Sequence, residues 1–176
     1  MKGIFKGIIT IVIGGTIFTI SQTDLVKNFS KNTGLSQKEA QQYVENISKD
    51  DLVSFDKLGS SFVSDGQDVL NVAHDIDCVN YSYEWETSTL SCEKGKSQLT
   101  MLGNNEIALG KAYTVLASES ASREDISKVI SLIDSLNADF NFEIVGYMLK
   151  PQDIDEMRKT NSFNKALLQS ALESKQ

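Results

Sequence analysis

The 176-residue chain has 17 basic and 24 acidic side chains, which give a net charge of −7 at pH 7. This acidic balance disfavours binding to nucleic acids and electrostatic docking on anionic lipid headgroups, because both ligands are negatively charged. The length is typical of one domain with a substantial buried core.

A basic and then strongly apolar segment opens the chain. Its two lysines precede a run with no charged side chain before Asp24. As a helix, residues 7–20 would be about 21 Å long, which is short for a hydrocarbon core of about 30 Å. The segment predicts either a secretory signal peptide over residues 1–21 or an uncleaved membrane anchor through residues 4–20. A third alternative, a buried helix of a cytosolic protein, is disfavoured because the run has no polar face.

Both leading alternatives predict an exported protein, either periplasmic, extracellular or anchored in the membrane by this segment alone. Residues 22–35 then form a polar connector or a short helix. Ser36 and Glu39 have the spacing of a capping box, which predicts that a helix begins there. This helix would open a single extracytoplasmic domain over residues 36–176.

A second helical pattern covers residues 55–76, where apolar side chains recur three, four and seven positions apart. Gly59 and Gly66 interrupt that pattern, and each lowers helix propensity by about 1 kcal/mol relative to alanine. The glycines therefore predict either a bend in the helix or a closely packed neighbour.

The two cysteines of the chain, Cys78 and Cys92, predict a disulfide, since an even count behind an export signal is typical of oxidised pairs. From Val79 to Trp85 the apolar side chains alternate with polar ones, which is typical of a β-strand. A β-hairpin with its tip near Trp85 would place the two cysteines opposite each other on one face of the sheet.

Further elements are predicted in the second half of the chain. Residues 97–102 form a third strand or a first helical turn, and a helix follows to about Ser118. Ser122 and Asp125 resemble a capping box, residues 139–148 alternate like a strand, and Pro151 begins the first of two last helices. The predicted fold class is α+β: a mainly helical single domain packed on a small antiparallel sheet, with a disulfide-closed hairpin near residues 78–93.

His74 is the only histidine, and Asp75 and Asp77 lie close to it in the sequence. One histidine cannot form a zinc site with several histidine ligands, so the sequence predicts a solvated helix end there. The oxygen-rich run from Asn137 to Glu143 lacks the spacing of a calcium loop. No catalytic residue, metal site or cofactor is therefore predicted.

Tyr81, Tyr83 and Trp85 are the densest aromatic group. They form either the inner face of the predicted sheet or an exposed surface that binds another protein, since Tyr and Trp are enriched at interaction hot spots.

Together these features favour a non-enzymatic binding protein of the cell envelope with a protein partner. One alternative is a small hydrolase or ligand-binding protein that uses carboxylates near His74. The other is an inhibitor or immunity-type protein that binds a basic partner. A cleft that contains His74 would support an enzyme, whereas an exposed apolar patch or an unpaired sheet edge would support a binding protein.

Overall fold

A computed structural model describes residues 8–46, 54–79, 89–139 and 151–174. These ranges are mainly helical and contain one two-stranded antiparallel sheet, so the predicted α+β class is confirmed. The elements are β1 (Ile8–Ile13), β2 (Thr16–Ser21), α1 (Gln22–Thr33), α2 (Gln37–Asn46), α3 (Phe55–Asp75), α4 (Thr89–Ala117), α5 (Arg123–Asp139) and α6 (Pro151–Glu173). None of the helices in the described ranges has the length and apolar character needed to cross a membrane.

The apolar opening segment is a β-hairpin and not the helix that its composition predicts. Its strands pair antiparallel from Ile8 opposite Ser21 to Ile13 opposite Thr16. The turn between them consists of Gly14 and Gly15, whose φ angles are 58° and 69°. Both angles lie in the left-handed region that a two-residue type I′ turn requires, and glycine adopts it without a steric penalty.

The hairpin packs one face against the helices. Ile11 and Ile13 of β1 and Phe18 and Ile20 of β2 are buried and belong to the main hydrophobic core. The turn is fixed to the end of α4, because the backbone N–H of Gly14 donates to the carbonyl of Leu116 at 3.2 Å. The sheet is therefore part of the folded body of the described chain.

The residues that follow the hairpin form α1, so the short-helix alternative describes them correctly. Ser21 is its N-cap and accepts a hydrogen bond from the backbone N–H of Asp24. Gly34 ends the helix with φ 73° and donates its N–H to the carbonyl of Ser30. The buried residues of α1 contact α2 and α6, which places this helix inside the core.

The two predicted capping boxes are confirmed. The N–H of Ser36 donates to the Glu39 carboxylate at 2.9 Å, and the Glu39 N–H donates to Ser36 Oγ at 3.3 Å. Ser122 and Asp125 exchange the same pair of bonds at the start of α5. In each case the carboxylate takes up an N–H that the first helical turn leaves without a partner.

The helices α3 and α4 pack against each other through glycine. A Cβ atom on Gly59 would lie 2.7 Å from the carbonyl oxygen of Gly110, and one on Gly66 would lie 2.6 Å from that of Gly103. The two pairs run in opposite directions along the chain, so the helices are antiparallel. The glycines admit a closely packed neighbour, as one of the two sequence interpretations predicts.

Three sequence predictions in the second half of the chain need correction. The second strand predicted near 78–93 is wrong over Thr89–Glu93, because these residues begin the continuous helix α4. The strand predicted over 139–148 is wrong at Asp139, which ends α5. The last segment is one helix, α6, and not two. Residues 80–88 and 140–148 lie outside the described residues.

Candidate functional site

The predicted disulfide is present between Cys78 and Cys92, with Cα atoms 5.7 Å apart. Cys78 follows the end of α3, and Cys92 lies in the first turn of α4. The bond therefore joins the adjacent ends of two antiparallel helices and not the two strands of a β-hairpin. It closes the connection between the helices that pack through glycine.

Replacing both Cys78 and Cys92 by serine is expected to lower the free energy of unfolding by about 3 kcal/mol, since the cross-link restricts a short loop of the unfolded chain. Urea denaturation of the oxidised protein and of the double variant measures this difference. The reduced and alkylated parent protein should show a similar loss. Equal midpoints for all three forms would contradict a structural role for the bond.

His74 lies near the end of α3 on the protein surface. Its side chain is 89% exposed, and its contact is with the neighbouring Asp75, at 3.3 Å from Nδ1 to Oδ1. His74 does not line the cavity described below. The hydrolase alternative predicted a cleft around this histidine, and among the described residues the high exposure of His74 gives that alternative no support.

The oxygen-rich run is divided between a helix and residues outside the described ranges. Asn137 and Asp139 lie in α5, where Asn137 accepts a hydrogen bond from Asn161 and Asp139 accepts one from Asn105. Within the described part of the chain, no group of three or more His, Cys, Asp or Glu side chains is placed to hold a metal ion.

The aromatic surface proposed from Tyr81, Tyr83 and Trp85 lies outside the described residues and stays a prediction. The structure instead shows an exposed apolar surface on the opening hairpin. We call it the outer hairpin face, and it consists of Ile8, Thr10, Val12, Ile17, Thr19 and Ser21. Its three large apolar side chains are exposed, with Ile17 at 67%.

The strand edges at the outer hairpin face carry backbone groups that the hairpin itself does not use. A two-residue turn makes Ile13 and Thr16 the first hydrogen-bonded pair, so every second pair turns its N–H and C=O groups outwards. The outward groups therefore belong to the residues of the outer hairpin face. Among the described residues, the edge N–H groups of Thr10, Val12 and Thr19 have no backbone partner.

A cavity of about 430 Å³ lies between α3, α4 and α6. Its lining residues are Leu58, Ser61, Phe62, Asp65, Val69, Leu102, Glu106, Glu156, Met157, Thr160 and Asn161. Most of its wall is apolar, while its charged groups are all carboxylic acids. We call this space the three-helix cavity.

Glu106 is the buried ionisable group of the three-helix cavity. It is only 3% exposed, and its Oε2 has no hydrogen-bond partner among the described residues. Burial raises the pKa of Glu106 to about 7, and the negative charges of Asp65 and Asp139 act in the same direction. The carboxyl group of Glu106 therefore keeps its proton to a higher pH than an ordinary glutamate does.

The sequence contains a signal for the hairpin but none for the buried Glu106 of the three-helix cavity. Gly14-Gly15 between two runs of β-branched residues is a hairpin pattern. Glu106 stands in an ordinary helical pattern, and only the tertiary packing around α4 reveals its burial. Comparisons with protein-family models, curated proteins and solved structures find no match for this chain.

Proposed function

We propose that this chain is a non-enzymatic binding protein of an oxidising, extracytoplasmic compartment, and that it binds an extended segment of a partner protein along its β-hairpin. The observation that carries the proposal is the outer hairpin face, which combines open strand edges with exposed apolar side chains. The disulfide is compatible with the compartment.

Open strand edges are normally protected, because they pair readily with other chains. Proteins protect such edges with charged side chains, proline or bulges. The hairpin has none of these devices, since residues 8–21 include no charged side chain and no proline and its register is regular. Strand addition would use the open backbone groups for affinity and the exposed isoleucine and valine side chains for selectivity.

The charge of the chain indicates the kind of partner. Two copies at −7 each repel one another, which disfavours self-association. The partner that fits is an apolar extended segment flanked by basic residues. Such a partner is also compatible with the alternative of an inhibitor that binds a basic protein.

A peptide with alternating valine and threonine between two lysine pairs is a direct probe. We expect this peptide to bind the full chain. The lysine substitution in the strand that pairs with the peptide, Val12→Lys in β1 or Ile17→Lys in β2, should weaken the binding at least tenfold. Fluorescence anisotropy of the labelled peptide measures the affinity. Amide chemical shifts of the hairpin residues locate the edge.

Two controls separate strand addition from non-specific attraction. Val72→Lys adds the same charge to an exposed apolar position of α3 and should leave the affinity unchanged. The same peptide with alternate backbone nitrogens methylated cannot complete the ladder and should not bind. Failure of the unmodified peptide to bind, or equal binding by the Val12, Ile17 and Val72 variants, would refute the proposal.

A further inference from the structure

We propose that the three-helix cavity binds a small organic cation with an apolar body, such as an alkylammonium ion, with its charged head at Glu106. This site lies among α3, α4 and α6 and is separate from the outer hairpin face. The inference therefore stands independently of the proposed function.

The first support is the unsatisfied polar group in an apolar environment. Buried carboxyl oxygens normally have hydrogen-bond partners, because an unpaired buried polar group lowers stability. Oε2 of Glu106 has none among the described residues. The lining residues Ser61, Thr160 and Asn161 carry donors, but none of them donates to this oxygen, and Ser61 and Asn161 donate to Asp65 and Asn137 instead. A ligand that donates from a cationic head would satisfy this oxygen.

The second support is the sign of the surrounding charges. Asp65 on α3 and Glu156 on α6 are exposed lining residues, and Asp139 on α5 adds negative potential at Glu106. No lysine or arginine is among the lining residues, and Arg158 and Lys159 of α6 do not contribute to the wall. The field therefore attracts cations and repels carboxylates and phosphates.

The third support concerns the type of cation. The described residues contain no group of three or more metal-ligating side chains, so the site does not resemble a metal site. A volume of about 430 Å³ with mostly apolar walls is within the range of small-molecule pockets, which are apolar with a few placed polar groups. An alkylammonium ion presents both a hydrogen-bonding cation and an apolar chain.

Calorimetric titration of the full chain with hexylammonium, hexanol and hexanoate tests the proposal, since these probes share a chain and differ in the head group. We expect hexylammonium to bind at least tenfold more tightly than hexanol at pH 8, and hexanoate not to bind. Glu106→Gln should abolish this preference for the cation. Asp68→Asn removes an exposed charge of α3 outside the cavity and should preserve it.

A second measurement detects the proton that Glu106 releases when the cation binds. At pH 7 Glu106 is partly protonated, and binding of hexylammonium should release that proton. Titrations in buffers of different ionisation enthalpy measure the release, which should be absent in Glu106→Gln. Equal affinities for hexanol and hexylammonium, an unchanged preference in Glu106→Gln, or binding without proton release would each overturn the proposal.

The stability of the variant shows whether its fold is intact. A carboxyl whose pKa is raised on folding keeps its proton in the native state after the unfolded chain has lost it, so stability falls as pH rises from about 4.5 to 7. Glutamine does not ionise, so the stability of Glu106→Gln does not fall in this way over the same pH range. Its melting temperature should exceed that of the parent at pH 8 and match it at pH 4, and a lower value at pH 8 would contradict the burial on which the proposal rests.

Discussion

Replacing Gly110 by alanine is expected to destabilise the fold by about 3 kcal/mol, the upper end of the usual range for overpacked interiors. A Cβ atom at this position would lie 2.6 Å from the carbonyl oxygen of Gly59 and 2.8 Å from the backbone nitrogen of Val63. Both are backbone atoms of α3, so no side-chain rotation relieves the contact. The two helices would have to move apart along their shared surface.

The sign of this effect is informative, because the same substitution on an exposed helix face stabilises by about 1 kcal/mol through helix propensity. Urea denaturation followed by circular dichroism measures the free energy of unfolding. Ser60→Ala, at an exposed position of α3, is the control and should be neutral or slightly stabilising.

The pairing of the glycines can be tested by a double-mutant cycle. If Gly59→Ala and Gly110→Ala strain the same contact, the second alanine should cost much less once the first has separated the helices. A stability of Gly110→Ala at or above that of the parent, or additive effects in the cycle, would contradict direct contact between the backbones of α3 and α4.

Local signals predicted the parts of the fold that local contacts determine. The capping boxes at Ser36 and Ser122 are confirmed because their hydrogen bonds join residues three positions apart. The disulfide was predicted from an even cysteine count behind a predicted export signal, and it is present. Its setting was not predicted, because the aromatic alternation after Cys78 indicated a strand, whereas Cys92 lies in a helix.

Helix propensity was misleading wherever tertiary contact overrides it. Gly103 and Gly110 lie in the interior of α4, which begins well before the helix predicted to end near Ser118. Gly103 and Gly110 are seven residues apart, as are Gly59 and Gly66. This equal spacing allows each glycine of α3 to face one glycine of α4. A glycine that weakens an isolated helix allows two packed helices to approach closely, and sequence position alone does not show which role applies.

The helical form predicted for the opening segment is wrong, because the turn chemistry of Gly14-Gly15 outweighs apolar length there. Its β-branched residues around Gly14-Gly15 fit a hairpin better than a helix. Burial alternates along this hairpin, so Phe18 is 5% exposed and Ile17 is 67% exposed.

Replacing Phe18 by alanine is therefore expected to lower the free energy of unfolding by about 3 to 5 kcal/mol, whereas Ile17→Ala should change it by less than about 1 kcal/mol. Phe18 lies in the main core, where truncation removes apolar contacts and leaves a cavity. Ile17 is the matched control, because it immediately precedes Phe18 in the same strand and faces outwards. Denaturant titration of both variants measures the difference, and equal losses would contradict the observed register.

The same alternation links the stability of the fold to the fate of residues 1–21. A chain that begins at Gln22 loses Ile11, Ile13, Phe18 and Ile20 from the core. At about 1.5 to 3 kcal/mol for each buried side chain, the loss of about 6 to 12 kcal/mol is comparable to the whole stability of a typical domain. We expect this chain to lack a cooperative unfolding transition. A cooperative transition at the midpoint of the full-length protein would show that the hairpin is dispensable, and would favour the signal-peptide alternative over a hairpin retained for binding.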